Sequence, residues 1–153
     1  MLWLLSLLHV GADPAVQRLT TDTSFKQHLQ WSPDGGRFLF TRIHEGKMAL
    51  WTMSAEGSDL KKLVAKDTPN FDGAWSKDGK KIVFVLDILQ GTDGHLQINR
   101  CAADGSDSQV VIPHKPMEES PRFAPDGQSI PFTRTQSAYS NGEFSKLWRH
   151  DLA

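Results

Sequence analysis

Sulfur chemistry is nearly missing from this sequence. Its 153 residues include one cysteine, Cys101. One chain therefore has neither an internal disulfide nor a cluster of thiolate ligands for a metal. Charge of one sign is not in surplus either. Lys plus Arg total 17 and Asp plus Glu total 18, for a net charge of −1. Nucleic-acid surfaces normally carry a basic excess, so no nucleic-acid partner is expected. No apolar run reaches the ~20 residues of a membrane-spanning helix. The Gly-x-Ser-x-Gly elbow, the phosphate loop, His-Glu-x-x-His and the dinucleotide fingerprint are also missing. The reading is of a protein that is not an enzyme, with no catalytic residue, no metal and no cofactor.

The remainder is ordinary globular composition, 39% hydrophobic and 23% charged. The first twelve residues, Met1 to Ala12, are apolar and uncharged on their side chains. They read as a secretory apolar region closed by the small-residue stretch Val10-Gly11-Ala12. They lack an early Lys or Arg and are shorter than the usual ~15–30 residues, which leaves a buried strand or a misplaced start as alternatives. Export to the periplasm or the medium is the expectation.

A repeat organises the rest of the chain. Trp31-Ser-Pro-Asp-Gly-Gly-Arg-Phe-Leu-Phe40 returns as Trp75-Ser-Lys-Asp-Gly-Lys-Lys-Ile-Val-Phe84 and as Phe123-Ala-Pro-Asp-Gly-Gln-Ser-Ile-Pro-Phe132. A second element, Leu50 to Gly57, matches Ile98 to Gly105, and Leu147 to Ala153 begins it again. Asp-Gly between apolar runs is a strong hairpin signal. Pro33 and Pro125 pre-set the backbone for a turn, and Gly35, Gly79 and Gly127 tolerate the positive φ that closes it. Phe38/Phe40, Ile82/Phe84 and Ile130/Phe132 alternate with their neighbours, as one buried face of a strand requires. Each unit of about 44 residues is thus a meander of four short strands, the pattern of a propeller blade.

The fold class is therefore all-β, a partial propeller of about three four-stranded antiparallel blades. The blades fall near 28–65, 71–112 and 120–153, with 16–20 as a split-blade strand and 1–12 as the export segment. Counting gives one strand, then four, four and three. Trp31, Trp75 and Phe123 take equivalent first-strand positions and should pack between blades. Pro131 breaks the pattern of an internal strand and should bring a bulge or weaker pairing.

Trp-Ser-Pro-Asp-Gly, an Ile/Phe-x-Phe strand and an aliphatic-Trp strand ending in Asp/Glu-Gly-Ser together resemble TolB-type β-propeller repeats. The resemblance covers roughly residues 17–153. It implies a periplasmic module that binds protein partners, although the α/β domain preceding the TolB propeller has no counterpart in these residues. Similar repeats occur in prolyl-oligopeptidase relatives, so a propeller serving a separately encoded hydrolase is the alternative, as is a truncated product without function.

The segments joining second and third strands lengthen along the chain. The third holds Tyr139, Asn141 and Phe144, which are the candidate binding residues. Other constellations read as ordinary. His28, His44, His95 and His114 are scattered near one end. Asp67, Asn70 and Asp72 miss a calcium-loop register. Cys101 sits mid-strand as a small buried apolar residue. Three blades do not readily close a ring, since propellers use ~4–8. A homodimer closing a six-bladed ring is one solution, each chain giving Gln17–Thr20 to the last blade of the other.

Overall fold

A computed structural model describes residues 16–88, 94–113, 117–135 and 145–152. Every element among them is a strand, and the strands form three antiparallel sheets. Sheet I holds β1 (Phe25–Trp31), β2 (Arg37–His44), β3 (Lys47–Ser54) and β4 (Lys61–Lys62), hydrogen-bonded in chain order. Sheet II repeats the order with β5 (Asn70–Trp75), β6 (Lys81–Ile88), β7 (His95–Ala102) and β8 (Gln109–Val110). Sheet III has β9 (Met117–Glu119), β10 (Ser129–Thr135) and β11 (Lys146–Asp151).

The turns follow from their residues. In the first, the Gly35 N–H donates to the Ser32 carbonyl at 2.9 Å, and Gly35 takes φ +71°. Pro33 and Asp34 are then the central residues of a tight turn, and the glycine follows in the left-handed region. Gly79 and Gly127 repeat this at φ +69° and +72°. The β2–β3 connection differs. Glu45 and Gly46 both have positive φ, which makes a two-residue hairpin whose twist suits the flanking strands.

Each first strand is interrupted at one place. Gln27 pairs with Thr41 and Gln30 with Leu39, so His28 and Leu29 oppose Phe40 alone. Asp72 and Gly73 do the same opposite Phe84. His28, Asp72 and Ser120 all have φ near +50° at this repeated position. A bulge with its first residue in the left-handed region normally calls for glycine. Here it is held by bonds between sheets. The Asp72 N–H donates to the buried Thr41 Oγ1 at 3.0 Å, and Arg122 Nη2 donates to Asp72 Oδ1 at 3.0 Å. His28 Nδ1 lies 3.2 Å from Thr41 Oγ1.

The core lies between sheets. Leu39, Leu50, Leu63 and Val64 of sheet I meet Ile82, Phe84, Leu86 and Cys101 of sheet II. Val83, Ile98, Ala74 and Ile112 of sheet II meet Ile130 and Phe132 of sheet III. Each fully buried aliphatic or aromatic side chain contributes ~1.5–3 kcal/mol. Trp75 packs on the first cluster and Phe123 on the second, so both aromatics sit between sheets as their repeat positions require. Trp31 does not. It is 56% exposed and tilts over Phe38, with ring centroids 4.1 Å apart, because no sheet among the described residues covers that side of sheet I.

One expectation changes, and another is met in its second form, weaker pairing. Residues 16–20 are irregular rather than a strand, since no sheet in the described residues offers them a ladder. They nevertheless lie where an outer strand would, with Leu19 on the cluster of Phe38, Phe40 and Met53. Pro131 is accommodated without a new bulge. Its register with Arg149 of β11 is regular, but on the other side β9 pairs only through Thr133 to Thr135. Arg122 donates its N–H to the Pro131 carbonyl at 3.1 Å, and proline has no N–H to return.

Candidate binding surface

The Asp-Gly turns of the three sheets stand side by side at one end of the molecule. Between the first two lies a cleft of about 460 Å³, lined by Pro33, Asp34, Arg37, Trp75, Lys77 and Asp78 among others. Between the second and third lies another of about 570 Å³, lined by Lys77, Asp78, Phe123, Pro125, Asp126 and Leu152 among others. Lys77 and Asp78 belong to both, so the two clefts make one furrow across three blades.

Serine hydroxyls fix the furrow's carboxylates. Ser32 Oγ donates to Asp34 Oδ1 at 2.6 Å, and the Gly36 N–H donates to the same oxygen at 3.0 Å. Ser76 Oγ donates to Asp78 Oδ1 at 2.7 Å, joined by the Lys80 N–H at 3.1 Å. Both carboxyls are held below the ordinary value, chiefly by the serine bond and then by the backbone N–H. In the third turn Ala124 replaces the serine, and Asp126 Oδ1 accepts the Gln128 N–H at 2.9 Å.

Trp75 and Phe123 supply half-buried aromatic surface in this furrow, while Arg37, Lys77 and the aspartates alternate in charge along it. The Trp75 Nε1–H is buried and meets no acceptor among the described residues. A long, shallow trough of apolar floor and mixed-charge rim suits an extended polypeptide better than a small molecule, which is normally enclosed on most sides.

The residues singled out from sequence separate. Tyr139, Asn141 and Phe144 lie outside the described residues, in the stretch of chain between β10 and β11. His28 is in the β1 bulge, His44 is exposed at the end of β2, 3.8 Å from Glu45, and His95 is buried at the start of β7. His114 lies outside the described residues. Among those described, no three His, Cys, Asp or Glu residues converge on a metal position. Asp67 pairs with Lys62 at 3.4 Å, Asn70 Oδ1 accepts the Leu50 N–H at 2.8 Å, and Asp72 pairs with Arg122. Burial, reinforced by the charge of Asp104, pushes the Cys101 thiol up to about 12. Sequence reasoning passed over the furrow. The sign of it was present, since Asp34-Gly35 and Asp78-Gly79 are each followed one repeat later by a first-strand aromatic, Trp75 and Phe123.

The comparisons agree with this geometry. The chain is 23% identical, over 160 residues, to an uncharacterized protein of Agrobacterium fabrum, covering 95% of this chain and 47% of that protein. It thus spans about half the length of the curated relative it matches. A solved protein assigned as TolB from Agrobacterium tumefaciens superposes with a TM-score of 0.72 at 21% identity, over 87% of this chain and 47% of that one. TolB from Acinetobacter baumannii gives 0.69 at 20% identity, over 88% and 32%. A prolyl endopeptidase gives 0.54 at 19%, over 84% of this chain and 21% of the other. The model of the TolB beta propeller domain matches residues 6–145. With its three stacked meanders and their repeated turns, this chain belongs to the TolB beta propeller domain family.

Proposed function

We propose that this chain is a non-catalytic, exported propeller module that binds a protein partner. The observation that carries the reading is the furrow across the Asp-Gly turns, continuous through Lys77 and Asp78 and floored by Trp75 and Phe123. Export is supported by the apolar Met1–Ala12 run. The segment holding Tyr139, Asn141 and Phe144 forms a second contact, supported by its aromatic content alone.

Peptide-array screening of the purified chain, followed by titration of the best binders, tests the reading. Lys77→Glu should weaken binding about tenfold, which corresponds to ~1.4 kcal/mol. Loss on Tyr139→Ala and Phe144→Ala, with Lys77→Glu silent, would move the contact to that second segment. Absence of any binder at high micromolar concentration would sink the reading. The alternative, a propeller that serves a hydrolase, is favoured by the likeness to a prolyl endopeptidase. Turnover of proline-containing peptides by the purified chain would displace the non-catalytic reading.

A further inference from the structure

Among the described residues the row of sheets ends in two open faces, and the internal interfaces show what each is shaped to meet. At the junction of sheets I and II the chain at the end of the outer strand passes the turn glycine that follows the third strand of the next sheet. Leu63, just after β4, places its carbonyl oxygen so close to Gly105 that an added Cβ would lie 1.8 Å away. Leu19 places its own carbonyl against Gly57 in the same manner, at 2.7 Å. Leu19 also joins the Phe38, Phe40 and Met53 cluster, as Leu63 belongs to the next one. The segment 16–20 therefore occupies the outer-strand position of a sheet preceding sheet I. At the other end β11 has no strand on its outer side among the described residues.

We propose that a second copy of this chain supplies both missing parts, the two copies closing one six-bladed ring about a two-fold axis. Lys61 and Lys62 pair with Thr52 and Trp51, and the Leu63 N–H donates to the Leu50 carbonyl at 2.9 Å. One repeat earlier stand Gln17, Arg18 and Leu19. One sheet later stand Arg149, Trp148 and Leu147. The ladder transfers residue for residue, with Gln17 opposite Arg149 and Arg18 opposite Trp148 of the other copy. The Leu19 N–H then reaches the other copy's Leu147 carbonyl.

Side-chain sizes fit the same register. At the I–II junction Gly73 is tucked under Leu39 and Leu50, whose methyls would lie 3.0 Å from an added Cβ. The residues equivalent to Leu39 and Leu50 on sheet III are Pro131 and Leu147. The residue equivalent to Gly73 on sheet I is Leu29. A proline in place of a leucine is met by a leucine in place of a glycine, so the volume removed on one face is returned by the other. These positions are open in the single chain, with Leu147 79% and Leu29 60% exposed. Six blades lie within the ~4–8 of closed propellers, and two-fold dimers are the commonest closed assemblies.

Light scattering on the full chain at micromolar concentration should report twice the monomer mass. Leu147→Glu and Gln17→Pro alter exposed residues, and each should give a folded monomer, with far-UV circular dichroism unchanged. Opposite residues of a non-hydrogen-bonded pair stand ~4.5 Å apart at Cα, within disulfide reach. The double variant Arg18→Cys/Trp148→Cys should therefore form a covalent dimer under mild oxidation, while each single variant does not. A wild-type monomer, an open-ended polymer, or a dimer indifferent to these substitutions and not cross-linked by the cysteine pair would overturn the proposal.

Discussion

Gly105 and Gly127 each close an Asp-Gly pair and have opposite tolerances. Gly127, at φ +72°, has open space around it, so Gly127→Ala meets only the left-handed backbone penalty of ~1–2 kcal/mol. Gly105, at φ +89°, faces the Leu63 carbonyl, and a methyl there must push the outer strand of sheet I away. Gly105→Ala should cost ~3 kcal/mol or more in urea unfolding, about twice the loss for Gly127→Ala. Equal losses would mean that the close approach relaxes freely. Cys101 gives a second residue-scale outcome. With its thiol pushed up to about 12 by burial, it should react with a disulfide reagent at pH 8 only as fast as the sheets open. A fast reaction in the absence of urea would contradict the packing. Sequence reasoning read Cys101 correctly because a lone mid-strand cysteine between apolar neighbours has few other roles. It missed the left-handed His28, Asp72 and Ser120, since none is glycine and the bonds that hold His28 and Asp72 come from other strands.

Turns and strands respond to pH and to proline as units. The folded carboxyls of Asp34 and Asp78 lie below 3.8, the value the unfolded chain approaches. The unfolded state therefore takes up these protons first as acid is added. The stabilisation is complete above that value and drains away as the pH falls through the folded values. Ser32→Ala combined with Ser76→Ala should lower stability at pH 6, and the gap from wild type should narrow below pH 3. Part of the gap should persist, because Ser32 and Ser76 also accept the N–H groups of Arg37 and Lys81 at 2.9 Å. A gap independent of pH would place the whole effect in those two bonds. In sheet III, Pro131→Val restores the N–H that can answer Arg122, and valine suits a strand. It should add ~0.5–1 kcal/mol, the worth of one net hydrogen bond. The strands themselves were legible in the sequence, since apolar alternation and Asp-Gly punctuation repeat in register. The furrow was not, because it depends on how far each turn is offset from the next once the sheets stack.

Across the molecule, burial rises toward the middle sheet. Ile82, Val83, Phe84 and Val85 in β6 are fully buried, with packed sheets on both faces, whereas most of β11 is exposed. Stacked repeats draw stability from their neighbours as much as from themselves. In the monomeric Leu147→Glu variant, hydrogen exchange should therefore be slowest in β6 and β7 and fastest in β11, with sheet I between them. Uniform protection would indicate a single cooperative unit. The three meanders were legible because their period is fixed, and the irregular course of 16–20 was not, because strand pairing needs a partner that residues in sequence do not reveal. Gly73 carries one more consequence. Three hairpins with nearly the same turn could dock in the wrong succession while the chain is collapsing, and tandem repeats are prone to such misassembly. Glycine fits beneath Leu39 and Leu50 without displacing their methyls, whereas the corresponding positions of the other two blades hold the larger Leu29 and Pro121. The missing side chain thus acts as an address label, rejecting the two sister blades at that junction and leaving sheet II as the one admitted.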